Sequence, residues 1–178
     1  MGNIVREFVV DVLEKILSID EASIYYSKSI SEMNNEERVS YLENENKYID
    51  FFERLYLLND KKIEIKINNF NSSDINEFFD EEKMNVLNEL KKLELENIIM
   101  KKKIISKKFE DVVYILKLSY RDYLAGSGKI EISYSDIRIK IFSNSDYIYI
   151  MESNSISMDR IEKIAKESSI YLKELGSS

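Results

Sequence analysis

Five carboxylates, Asp74, Glu77, Asp80, Glu81 and Glu82, crowd one short stretch of this chain. Oxygen donors at that density could hold a hard cation such as Mg²⁺ or Ca²⁺. No glycine supplies the tight turn of a calcium loop there, and acidic side chains are also what the positive end of a helix attracts. The run Ala125-Gly126-Ser127-Gly128-Lys129 superficially suggests a phosphate loop. Such a loop needs a glycine five residues before its Gly-Lys pair and a Ser or Thr after the lysine. Tyr123 and Ile130 occupy those positions. The chain has no histidine, so the commonest general base and metal ligand are missing. It has no cysteine either, which removes the thiol nucleophile and any disulfide. The expectation is a protein with no catalytic residue, no metal site, no cofactor and no small-molecule substrate, hence not an enzyme.

Two residue types remain distinctive. Lys91, Lys92, Lys101, Lys102, Lys103, Lys107 and Lys108 form a basic segment that could meet the phosphates of a nucleic acid, or simply balance charge elsewhere in the fold. Residues 1–90 carry a net charge of −10 and residues 91–129 a net of +5, within a chain of net charge −7. That overall sign argues against a general polyanion binder. The twelve tyrosines include Tyr134, Tyr147 and Tyr149 on alternating runs. If Ile148 and Ile150 face the core, Tyr147 and Tyr149 form an exposed aromatic strip suited to a protein partner. If the sheet is covered on both faces, the same tyrosines merely fill it.

The elements that would position these groups follow from hydrophobic period. Val5, Phe8, Val9, Val12, Leu13, Ile16 and Leu17 fit one helical face over residues 3–18. Ser18 and Glu21 have capping-box spacing for a second helix over 19–33. Asn34-Asn35 breaks the chain before a third helix, about 36–58, with Val39, Leu42, Ile49, Phe52, Leu55 and Tyr56 inward. Ile63, Ile65 and Ile67 alternate with Lys62, Glu64 and Lys66 as in a half-buried strand. A fourth helix is predicted over 74–90. Residues 91–106 read equally as a helix or as a hairpin. A helix over 106–125 stops at Gly126. Three alternating runs at 130–134, 137–141 and 147–151, joined by short polar turns, predict a three-strand antiparallel meander. A last helix is predicted from Ser155 or Ser157 to about 175.

The order helix, three-strand meander, helix, filled by Phe109–Ala125, Lys129–Tyr134, Ile137–Phe142, Tyr147–Glu152 and Ser157–Leu175, resembles the second half of a roadblock (longin-like) domain. With 91–106 as a hairpin, the likeness spans residues 74–175. The family's usual glycine turn between its first two strands is absent, Asn97 being the one turn-forming residue there. The resemblance implies a non-catalytic dimerising platform of the kind found in motor, GTPase-regulating and trafficking assemblies.

The sequence therefore predicts an α+β protein: a helical region at 1–60, then an antiparallel sheet flanked by helices at 61–178. Its predicted role is protein–protein assembly with other subunits as a homo- or hetero-oligomer, or alternatively a replication or viral accessory role on nucleic acid through Lys91–Lys108. The first apolar stretch is broken by Arg6, Glu7, Asp11, Glu14 and Lys15, unlike a secretion signal, and no run suits a membrane span. A cytoplasmic location is expected. Abundant Ile, Lys, Asn and Tyr match an AT-rich genome, archaeal and viral ones included. Gly126-Ser127-Gly128 reads as a natural loop or an engineered linker.

Overall fold

The architecture is taken from a computed structural model, which describes residues 5–25, 28, 32–67, 103–121, 130–143, 149–154 and 157–176. Seven strands form one antiparallel sheet: β1 Arg6–Asp11, β2 Ile63–Ile67, β3 Lys103–Ser106, β4 Ile130–Tyr134, β5 Ile139–Ser143, β6 Tyr149–Ser153 and β7 Tyr171–Leu175. Their spatial order is β3-β2-β4-β5-β6-β1-β7. Among the described residues four helices accompany them: α1 Ile19–Tyr25, α2 Asn35–Leu58, α3 Glu110–Tyr120 and α4 Met158–Glu167.

Alternation decides which strand residues enter the core. Ile63, Ile65 and Ile67 are buried while Glu64 and Lys66 between them are half-exposed. Ile130, Ile132 and Tyr134 repeat the pattern on β4, and Tyr149, Met151 and Ser153 on β6. Apart from Ser153, these side chains join Tyr48, Phe51, Phe52 and Leu55 of α2, Ile115 and Leu116 of α3, and Ile161 and Ala165 of α4 in one hydrophobic cluster. The three helices thus form one layer over one face of the sheet. At ~25 cal/mol per Å² of apolar surface, burying that face is the main driving force for the fold.

Two expectations are overturned. Residues 6–11 are a strand, not part of a helix. The run Phe8-Val9-Val10 is buried throughout, as on an interior strand covered on both sides; so long an apolar run satisfies the helical period without obeying it. The sheet takes strands from both sides of residue 60: β1 lies between β6 and β7 while β2 lies between β3 and β4. The last helix stops at Glu167, and residues 171–175 form β7 against β1. The stop is a Schellman turn built without glycine. Ser169 takes a left-handed φ of 57°, its amide donates to the Lys166 carbonyl, and the Ile170 amide donates to the Ala165 carbonyl at 2.8 Å.

Elsewhere the elements are shorter or shifted. In place of a helix over 19–33, α1 is Ile19–Tyr25 and Lys28 lies outside a helix. In place of a helix over 106–125, α3 is Glu110–Tyr120. The runs expected at 137–141 and 147–151 are strands Ile139–Ser143 and Tyr149–Ser153. Two helix starts do match their capping signals. Ser18 Oγ accepts from the Glu21 amide and the Glu21 carboxylate from the Ser18 amide, which closes the predicted capping box on α1. A second box, Asn34 with Glu37, opens α2. At the far end of α2 the chain turns through Asp60 and Lys61, with φ of 52° and 54°. The buried Asn59 side chain fixes this turn: Nδ2 donates to the Lys62 carbonyl at 2.7 Å, and Oδ1 accepts from the amides of Asp136 and Ile137 in the β4–β5 turn. The predicted helix over 74–90, the acidic cluster it carries, most of the ambiguous 91–106 stretch and Gly126-Ser127-Gly128 lie outside the described residues. Lys103–Ser106, at the end of that stretch, is strand β3.

Candidate interaction surface

Among the described residues, the face of the sheet opposite the helical layer carries the charged strand side chains and is the candidate surface for meeting another molecule, although Val9 on it is fully covered. Its composition follows from strand register. Glu64 sits opposite Ile105 on one side and Ser133 on the other; Ser133 faces Lys140, Lys140 faces Glu152, and Glu152 faces Glu7. The next row runs Lys103, Lys66, Glu131, Phe142, Ile150, Val9, Lys173. One half of the face is therefore charged and the other has an apolar centre.

The charged half is a ladder of ion pairs. Lys103 Nζ lies 2.9 Å from Glu64, and Lys66 Nζ lies 2.9 Å from Glu131 and 3.9 Å from Glu64. Lys140 adds a second cation 3.9 Å from Glu131, and Ser133 Oγ donates to the same carboxylate. Burial pushes the Glu131 carboxyl up, but the Lys66 hydrogen bond and charge, with Lys140 and Ser133, together hold it below the usual range. Lys66 is raised by its bond to Glu131, so it stays a full cation and is no candidate nucleophile. In the apolar half Val9 is 1% exposed, and Phe142 and Ile150 are half-buried. Beside them Lys173 Nζ donates to Asp11 Oδ2 at 2.9 Å and to the Lys15 carbonyl at 2.7 Å, which ties the chain that follows β1 to the open side of β7.

The helix side holds a second polar feature. Glu45 of α2 and Arg121, at the C-cap of α3, form a two-point pair at 2.6 and 2.9 Å, with side chains 2% and 8% exposed. Tyrosines enclose it. The Tyr120 ring lies 4.9 Å from Tyr41 and 5.3 Å from Tyr48, and Tyr48 lies 5.3 Å from Tyr149. Tyr149 donates to Ser119 Oγ, Tyr48 to the Val10 carbonyl, and Tyr134 to the Phe52 carbonyl. Burial raises the hydroxyls of Tyr120, Tyr134 and Tyr149 well above the ordinary phenol range. They remain neutral at physiological pH. This cluster is a rigid, hydrogen-bonded core, not a source of general base.

Tyr134 and Tyr149 are both 0% exposed on the helix side of the sheet, so they carry no exposed strip; on β6 it is Ile150 that lies on the open face. Tyr147 lies outside the described residues. Of the lysines, Lys103 is on β3 and paired, while Lys107 and Lys108 are exposed in the connection to α3. Lys91, Lys92, Lys101 and Lys102 lie outside the described residues. Val39, expected inside α2, is 57% exposed. The signal that was missed is Glu45 and Tyr48 at i and i+3 ahead of the expected Phe52: the buried stripe of α2 runs through a charged residue. Among the described residues no group of three or more acidic side chains is placed to hold a metal ion, and no helix is long and apolar enough to cross a membrane. The chain matches no protein family, no curated protein and no solved structure.

Proposed function

We propose that this chain is a non-enzymatic assembly subunit that works by presenting its sheet to other protein subunits. The observation that carries the reading is the placement, among the described residues, of α2, α3 and α4 on a single face of the sheet. Helices α2, α3 and α4 cover one face, while the other displays the half-buried Phe142 and Ile150 and, at the β3 edge, Ile105 at 67% exposure. Half-buried apolar groups and the exposed Ile105, set beside an ordered charge ladder, suit a specific, register-fixing protein contact. The roadblock-like reading of 74–175 belongs to this proposal. It is supported by the order α3, β4, β5, β6, α4, and it must accommodate β7 and β1 on the same sheet.

The test is affinity purification of the full chain from its native host. A stoichiometric protein partner, lost when Ile150→Lys or Phe142→Lys is introduced on the open face, is the expected result. Purification free of any partner, with the chain turning over a substrate, refutes it. The nucleic-acid reading draws on the exposed Lys107 and Lys108. It requires binding that weakens steeply with salt and is reduced in the Lys107→Gln/Lys108→Gln variant.

A further inference from the structure

We draw no further inference here: the strongest candidate, the apolar patch of Phe142 and Ile150 beside the covered Val9 on the open face of the sheet, belongs to the surface already described, and nothing in the structure shows what covers it.

Discussion

Arg121→Met should be among the most damaging single changes in the protein. Arg121 and Glu45 are 8% and 2% exposed and share hydrogen bonds of 2.9 and 2.6 Å. Removing the guanidinium strands a carboxylate among Tyr41, Tyr48 and Tyr120, where water cannot replace the lost partner. Breaking a buried pair from one side costs about 3–5 kcal/mol, most of it the penalty of an uncompensated buried charge. For a chain of this size each kcal/mol moves the melting temperature by about 2–4 °C, so the expected drop is about 6–20 °C. Glu45→Gln should cost less, since the amide oxygen still accepts one of the two bonds. The double variant Glu45→Gln/Arg121→Met removes both charges and should recover part of the loss. The double-mutant cycle then closes with a coupling of at least about 2 kcal/mol. Urea unfolding followed by far-ultraviolet circular dichroism and tyrosine emission measures all four proteins. Tyrosine emission is readable because the chain has no tryptophan. If both single variants lie within about 1 kcal/mol of the parent, the pair behaves as a surface ion pair and the account of a dry α2–α3 junction is wrong.

Three further outcomes follow from the same geometry. Ser169→Gly should raise stability by about 1 kcal/mol, because the exposed serine occupies the left-handed position of a Schellman turn at φ 57° that glycine adopts without strain; a lower melting temperature would contradict the assigned turn. Tyr120, Tyr134 and Tyr149 have phenols raised by burial, so their contribution to stability is complete below pH ~10 and shrinks as pH rises from there toward the folded-state values. Tyrosinate absorbance should therefore rise in two stages, the second coinciding with unfolding; a single stage ionising all twelve tyrosines at once in native protein would refute their burial. The Glu131 carboxyl is held below its ordinary range, so its stabilisation is full above pH ~4.3 and is lost as pH falls through the folded value. Glu131→Gln should flatten that acid limb of a urea stability profile, leaving the part due to Glu21, Glu37 and Glu174, whose carboxyls are also lowered; an unchanged acid limb would show that the Lys66–Glu131 bridge contributes nothing.

What could be read from the chain depended on whether the deciding physics was local. Ser18 with Glu21, and Asn34 marking the start of α2, were legible because a capping box is closed by side chains three residues apart. Ile63, Ile65 and Ile67 were legible because a strand with one wet face must alternate. Strand β1 was not, since an interior strand buried on both faces has no alternation left to show, and its partners β6 and β7 lie more than a hundred residues away in sequence. The end of α4 was hidden for a related reason. Nothing in Lys166-Glu167-Ser168-Ser169 signals a left-handed residue as glycine would; the turn is held because Tyr171–Leu175 finds β1, a long-range gain that outweighs the helical preference of Leu172, Lys173 and Glu174. The same non-local logic misdirected the tyrosines. Period 2 groups Tyr147 with Tyr149 but cannot say which face meets the helices, and the Tyr149 bond to Ser119 of α3 settles the face for Tyr149. Glu45 is the sharpest case. A charge inside an aromatic stripe looks like an error of pattern until Arg121, far along the chain, is brought to within 2.6 Å of it. Such a residue is a sequence-readable request for a buried cation, and the chain's few arginines make the search for that partner short.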